Sequence, residues 1–574
     1  MFFEVSVDML QPKMMAEIVD RGILGIGTGG LPDISLVTSV GIRMLLIVLF
    51  GAFCGVMSAV MTNVYGQTFG NNVRKHCFSR IMHFSFEQTD RFTTGSLITR
   101  VTSDITQVER LVMQLVRGWV RCLTFLVLGT LALMSMNTHF LVVISIAFPL
   151  LILEILFVLG RVNPLFGLLQ SRLDRMNTVI QENVSGNRVV KAFVQESREN
   201  ARFGKCNEDL AETQLRVLIL LAGLRPVMNI ILNLATVALI RLGAVQVQQG
   251  GMQPGEVMAS VTYMSQILNG LMMLAMIFQT VSRGFASAKR LNEVLSTEPV
   301  IRGGSFRGEG AGSQAGSVNG EGAGSQAGSS VTLENVSFAY PGSPRTVLRN
   351  ISLDIRPGET FAIIGATGCG KTTLVSLIDR FYDATEGTIR IDGTDVREYS
   401  LSYLRDLISF VPQKNELFST TLRDNITIGR PDASEEEIRQ AARDAQAEEF
   451  ILQQPQGYDT PVAERGMSIS GGQRQRIAIS RALLRPSRIM IFDDATSALD
   501  LVTEKKLYDA LREHFPGITR IIIAQRIATV RYADRIAVLE DGAIAACGTH
   551  EELMETSAVY RDICESQLGK GGAA

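Results

Sequence analysis

Three glycines, a lysine and a hydroxyl share one short loop in the run Gly365-Ala366-Thr367-Gly368-Cys369-Gly370-Lys371-Thr372, directly after an apolar stretch. Glycines at this spacing let successive backbone N–H groups turn toward a phosphate, Lys371 adds charge for the outer phosphates, and the Thr372 hydroxyl reaches Mg²⁺. A helix that begins here aims its positive end at the same anion. Cys369 sits inside the loop, so alkylating it is expected to block nucleotide.

Two further runs suit the same chemistry. Ile489-Met490-Ile491-Phe492 ends in Asp493-Asp494, an apolar strand pattern delivering a carboxylate that can hold Mg²⁺ through water. Ser470-Gly471-Gly472-Gln473, after Ile469, reads as a turn opening a helix, with N–H groups presented to an anion. It lies too far along the chain from Lys371 to serve the same nucleotide by a simple local arrangement.

The elements that position these residues form an α/β pattern from Val331 onward. The strand candidates Phe361–Ile364, Ile408–Val411, Ile489–Phe492, Arg520–Ile523 and Arg535–Val538 are apolar runs of the kind buried in parallel sheets. Residues 296–330 form a boundary, in which Glu309-Gly310-Ala311-Gly312-Ser313-Gln314-Ala315-Gly316-Ser317 recurs from Glu321 through Ser329. Such Gly/Ser composition buries little and reads as a linker. The expected division is therefore 1–295, 296–330 and 331–574.

Residues 1–295 differ in kind. The chain's mean hydropathy of +0.19 is concentrated there, with spans expected at Val37–Tyr65, Leu111–Met136, Phe140–Val162, Leu215–Val245 and Val257–Val281, each long enough to cross a bilayer. The connections carrying Arg74, Lys75, Arg80, Arg91, Arg100 and Arg110, and later Arg172, Arg175, Arg188, Lys191 and Arg198, are long and basic. Asn137–His139 and Gln246–Glu256 are short and lack Arg and Lys. Positive charge inside puts the long connections in the cytoplasm, and their helical patterning extends the helices well beyond the bilayer. Met1–Ile23 contains Glu4, Asp8, Gln11 and Pro12, so hydropathy alone rejects it as a span. The net charge of −2 gives no electrostatic case for nucleic acid, and seven unpaired-looking cysteines suit a reducing compartment.

These motifs, in this order, resemble the ABC exporter family, with Ser470–Gln473 as the most specific mark. The resemblance covers residues 8 to about 568 and implies an all-α polytopic membrane domain of six helices followed by an α/β P-loop ATPase domain. Asp8–Pro12 through Ile18–Ile23 resembles the outer half of the first membrane helix, whose start would be truncated here. Ser287-Ala288-Lys289-Arg290 closes the last one. Family membership implies ATP with Mg²⁺, held by Gly365 through Thr373, by Tyr340 stacking adenine, and by Asp493, Thr372 and Gln413 at the metal. It also implies two such domains sandwiching two ATPs, each between one P-loop and the other domain's Ser470–Gln473, with Asp500 in the D-loop. Glu464-Arg465-Gly466 looks like an element touching coupling helices, which exporters place near His83–Asp90 and Gly186–Gln195.

Two positions depart from the family. Asp494 stands where a Glu is usual, and Gln525 where a His is usual; His514 and His550, the only histidines after residue 331, do not fill that slot. A shorter carboxylate and a side chain unable to take a proton imply retained ATP binding with weak hydrolysis. The signature is whole save for Ile469 replacing Leu. The expectation is thus a heterodimer, in which a non-identical half-transporter carries the consensus Glu and His and uses this chain's Ser470–Gln473. The expected setting is the cell (plasma or inner) membrane. The cargo is a small amphipathic drug- or lipid-like molecule, with an importer on the same fold (for siderophores, for example) or a peptide exporter left open. The methionines Met252, Met258, Met264, Met272, Met273 and Met276 suit adaptable contacts, but helix packing is the first expectation for them.

Overall fold

The computed structural model describes residues 1–26, 31–307, 328–463, 466 and 468–568. The repeat of residues 309–329 falls largely outside them, as do Glu464 and Arg465. The chain separates into two compact units, one of Met1–Met82 with Gly95–Thr297, the other of His83–Thr94 with Glu298–Ala574.

In the first unit, long helices run over Ile34–Met82, Phe140–Ser185, Glu196–Gln248 and Pro254–Ser296. A further continuous helical stretch covers Thr94–Met136. Five helices among the described residues are long and apolar enough to cross a membrane, matching the five expected spans. The 49 residues of Ile34–Met82 rise about 74 Å at ~1.5 Å per residue, more than twice a bilayer's hydrocarbon thickness of about 30 Å. Leu45, Leu46, Phe50, Phe53 and Val56 are exposed along that helix, the surface a lipid-facing helix presents. The buried side chains Leu133, Phe140, Leu151, Leu239, Met264 and Leu271 form the unit's core. Met252 and Met264 pack there, while Met258 is exposed.

Residues rejected by hydropathy are helical too, as Phe2–Glu17 continuing into a π-turn over Ile18–Ile23. Three of its polar groups have internal partners. Glu4 pairs with Arg121 at 3.8 Å, Asp20 accepts from the Gly255 amide at 2.7 Å, and the Met9 carbonyl accepts from the Tyr263 hydroxyl at 2.7 Å. Gly51 permits the close approach, since a Cβ there would meet Val7 at 2.7 Å. Toward the other end, Asp104 accepts from Ser287 and from Arg290 at 2.8 Å each, so the Ser287–Arg290 run ties the last helix to its neighbour.

Among the described residues the second unit holds ten strands: β1 (Val331–Ala339), β2 (Thr346–Ile355), β3 (Thr360–Gly365), β4 (Glu386–Ile391), β5 (Thr394–Asp395), β6 (Ile408–Val411), β7 (Ile489–Asp493), β8 (Thr519–Ile523), β9 (Arg535–Glu540) and β10 (Ala543–Gly548). One sheet has the order β10-β9-β3-β8-β7-β6 and the other β2-β1-β4-β5. All five expected strands lie in the first, paired in parallel. Every residue of β7 and β8 is buried, because both faces are covered. Phe361 and Ile363 of β3 face one core, Ala362 and Ile364 the other. The antiparallel sheet has no counterpart among the expected strands. This sheet order sends β3 and β7 out at the same edge, and that edge carries the site.

Candidate functional site

β3 ends at Gly365, and the chain loops to the helix Lys371–Ile378. Gly370 has φ +107° and Gly368 φ +83°, left-handed values that favour glycine. A Cβ at Gly365 would stand 2.1 Å from the Leu539 carbonyl oxygen, and one at Gly370 2.7 Å from a Leu348 methyl. The loop therefore accepts no side chain at these points and presents backbone instead. Lys371 Nζ donates to the carbonyls of Gly365 and Ala366, both at 2.8 Å, which spans the loop like a strut. Cys369 is buried beneath it, 3.8 Å from that ammonium.

β7 brings in the carboxylates. Asp493 Oδ1 accepts from the Thr372 hydroxyl at 3.0 Å. Burial, with Asp494 beside it, pushes the Asp493 carboxyl up to about 6, against the pull of Thr372 and Lys371. Asp494 follows at φ +49°, a conformation in which Asp is among the better-tolerated residues. Its Oδ2 accepts from Gln525 Nε2 at 2.9 Å and from Gln413 Nε2 at 3.3 Å. The second carboxylate is thus held between two amides, neither of which can take a proton from it or from water.

A cavity of about 1040 Å³ is lined by Tyr340, by every residue from Gly365 through Thr373, and by Gln413, Asp493, Asp494 and Gln525. All of these were selected from sequence, and the ends of β1, β3, β6, β7 and β8 bring them together. Tyr340 donates to or accepts from the Thr373 hydroxyl at 2.9 Å. Arg345 and Arg349 also line the cavity. No motif pointed to them, since single arginines just before and within β2 carry no pattern. Gln567 lines it as well and donates to the Gln525 carbonyl at 2.6 Å, which fixes the backbone at that position.

The other selected residues stand apart. Ser470 caps the helix Gly471–Leu484 in a reciprocal box with Gln473, and neither they nor Gly471 and Gly472 line the cavity. Asp500 caps Leu501–His514 through the amides of Thr503 and Val502, which hold its carboxyl below the usual range. It too lies outside the cavity lining. Gln475 ties the two regions together, donating to the Ser497 hydroxyl and accepting from the Ala498 amide. His514 is engaged with Asp444 at 2.7 Å and His550 with Tyr560 at 2.8 Å, so neither histidine serves Asp494.

The residues fit a nucleoside triphosphate with a hard cation. The glycine cradle leaves backbone room for phosphate, the lysine lies within it, and a hydroxyl and a carboxylate 3.0 Å apart offer the oxygen donors Mg²⁺ prefers. Maleimide modification of Cys369 is expected to abolish ATP binding and to be slowed by ATP. Peptide mass spectrometry at that cysteine, with and without nucleotide, checks this. Cys369→Ala should bind ATP and lose the sensitivity.

A bundle of bilayer-length helices in one chain with a phosphate-cradling α/β domain defines a nucleotide-driven membrane half-transporter. The pattern for the ABC transporter transmembrane region matches residues 2–272, and that for the ABC transporter domain matches 348–497. The chain belongs to the ABC transporter family. It is 37% identical to the ABC transporter ATP-binding protein YfiB of Bacillus subtilis (strain 168), over 100% of this chain and 96% of that protein. It is 34% identical to an ATP-dependent lipid A-core flippase of Syntrophus aciditrophicus (strain SB), over 92% of this chain and 85% of that one. A bacterial Atm1-family ABC exporter solved with ATP bound superposes with TM-score 0.81 at 27% identity, covering 98% of this chain and 96% of that one. The protein is accordingly a membrane protein with an ATP-binding domain on the cytoplasmic side.

Proposed function

We propose that this chain is one half of a heterodimeric exporter of the plasma or inner membrane, binding ATP and Mg²⁺ in a site that hydrolyses slowly. In this reading residues 1–295 form the path, 296–330 the linker and 331–574 the nucleotide-binding domain. The observation that carries it is the imbalance of the cavity. Its phosphate side is complete, from Gly365 to Thr373, whereas its water-activating side is an aspartate clamped by Gln413 and Gln525.

Each residue then has a task. Lys371 and the loop amides hold the phosphates; Thr372, Asp493 and Gln413 hold the cation; Tyr340 meets the base. Mg²⁺, when bound, neutralises charge on the phosphates. Ser470–Gln473 and Asp500, left outside this cavity, serve the partner's nucleotide. The partner supplies the consensus Glu and His. The helix Asn187–Ala192 has no buried residue, and Val189, Phe193 and Val194 around it are exposed. An apolar tip of that kind supports docking to a second subunit.

The cargo in this reading is an amphipathic, drug- or lipid-like molecule moved out of the cytoplasm or inner leaflet. Membership beside a lipid flippase supports it, and transport by inside-out and right-side-out vesicles separates export from import. The ATPase of the reconstituted pair is the decisive measurement. Glu→Gln in the partner should abolish turnover, while Asp494→Asn in this chain should change it little. Brisk turnover and transport by this chain without a companion would overturn the proposal.

A further inference from the structure

The segment His83–Thr94, which by chain connectivity joins two of the long membrane helices, belongs to the same compact unit as the ATP-binding domain. Its helix Phe86–Phe92 starts with a reciprocal Ser85–Gln88 box. Two hydrogen bonds moor it to the chain beyond the last long helix, Ile301 N to Ser85 Oγ at 3.1 Å and Gln88 Nε2 to the Glu298 carbonyl at 3.0 Å.

On the domain side the helix meets aromatic rings. Phe86 lies 4.5 Å from the Phe381 ring centroid and 6.3 Å from that of Tyr382. The Tyr382 hydroxyl donates to Asp90 at 2.6 Å. Burial and Asp90 both push that phenol up, so it remains a donor throughout the physiological range. The opposite side of Tyr382 meets Tyr340 edge to face at 5.3 Å, and Phe338 supports both rings. Tyr340 lines the nucleotide cavity and bonds to Thr373. An unbroken chain of contacts therefore runs Asp90–Tyr382–Tyr340 from the inter-helix segment into the cavity.

We infer that Tyr382 is a positioning residue through which Asp90 sets the stance of Tyr340, so that the connection between two membrane helices tunes the site's hold on the base of the nucleotide. This rests on the reading of Tyr340 as the residue that meets the base. Edge-to-face geometry is directional, so a ring held at one edge by Asp90 limits where its neighbour can stand. The hydroxyl of Tyr340 is pinned at the far end by Thr373, which leaves Tyr382 as the adjustable side. The consequence is specific: the effect falls on base recognition and spares the phosphates, which Lys371 and the loop hold independently.

The test uses the full-length chain in lipid nanodiscs with Mg²⁺ and two probes, ATP and inorganic tripolyphosphate, which lacks the base. Tyr382→Phe and Asp90→Ala are each expected to weaken ATP about 3- to 10-fold, the span of one well-placed aromatic contact, and to leave tripolyphosphate unchanged. The double variant should be no worse than the poorer single one, because both break the same link. Asp90→Asn, which keeps an acceptor, should recover most of the ATP affinity. Equal weakening of ATP and tripolyphosphate, or additive effects in the double variant, overturns the inference. Tyr340→Ala distinguishes the two levels. If it weakens ATP but Tyr382→Phe and Asp90→Ala do not, the relay alone fails. If it leaves the ratio of ATP to tripolyphosphate affinity unchanged, the reading of Tyr340 fails and the relay goes with it.

Discussion

Replacing Asp494 by Glu and Gln525 by His together is expected to raise ATP turnover at this chain's own site by about 100-fold or more, and neither replacement alone is expected to reach that. The Asp494 carboxylate accepts two amide N–H bonds on one oxygen, so that oxygen is occupied by neutral donors that cannot relay a proton. It also stops one methylene short. A misplacement near 1 Å costs on the order of 100-fold, and loss of a general base roughly 10²–10⁴-fold. Glu restores the reach, but with Gln525 unchanged an amide still faces the carboxylate. His at 525 offers a group that can carry a proton, but opposite the shorter Asp it stands too far away. The backbone adds a restraint: φ is +49° at 494, a region where Asp is enriched over other non-glycine residues. Glu alone therefore accepts some strain for partial gain. On the proposed pairing, the measurement is ATPase in the assembled pair with the partner's site silenced by Glu→Gln, so that turnover reports on this site alone. A double variant that stays at the silenced background would show that the limit lies elsewhere.

That argument depends on residues visible in the sequence, and the visibility has a physical cause. The loop Gly365–Thr372 is legible because phosphate binding demands glycine at fixed positions, and Gly368 and Gly370 do adopt positive φ. The parallel strands are legible because two-sided burial makes them continuous apolar runs, as in β7 and β8. The antiparallel sheet was not legible. β1 alternates imperfectly, its pairing with β2 shifts register three times, and β5 has two residues, so no period-2 pattern survives. The first helix defeats hydropathy for a related reason. Glu4 and Asp20 look like surface residues in sequence, but inside the bundle Arg121 lies 3.8 Å from one Glu4 oxygen and the Gly255 amide donates to Asp20. Hydropathy scores the residue, whereas the bilayer penalises only the unsatisfied group. Arg345 and Arg349 stayed hidden because their place in the cavity follows from the end of the β1–β2 connection and the start of β2, which only the fold supplies. Asn187–Ala192 shows the opposite case: the resemblance marked Gly186–Gln195 as the place of a coupling helix, but nothing in the residues announced that Phe193 and Val194 beside it would be exposed.

Lys371→Ala is expected to remove ATP binding almost entirely, by roughly 10²–10⁴-fold, while the domain stays folded. Lys371 is buried, yet its hydrogen-bond acceptors are two neutral carbonyls, those of Gly365 and Ala366, and a thiol. A buried ammonium is normally matched by a carboxylate. Among the described residues no carboxylate lies within ion-pair distance, and Asp493 acts on it only from further away, so an anion entering the loop supplies its close partner. Each charge-assisted hydrogen bond to phosphate is worth about 1.5–3 kcal/mol, and two of them give that fold-change at about 1.4 kcal/mol per factor of ten. Folding is spared because the side chain packs on its own loop and crosses no core. The check is thermal unfolding with and without Mg-ATP. Ligand at 100 times the dissociation constant stabilises the wild-type fold by about 2.7 kcal/mol, an increment Lys371→Ala should lose while its nucleotide-free unfolding temperature stays near wild type. Lys371→Arg should fail as well, since a planar fork cannot replace a compact ammonium between two carbonyls 2.8 Å away. Set against the double replacement at 494 and 525, this separates two functions within one cavity. One change is expected to remove the nucleotide and leave nothing to hydrolyse; the other, on the proposed reading, keeps the nucleotide and supplies a proton acceptor. A site that merely evolved toward loss of function would have no reason to keep the first so intact while the second is altered.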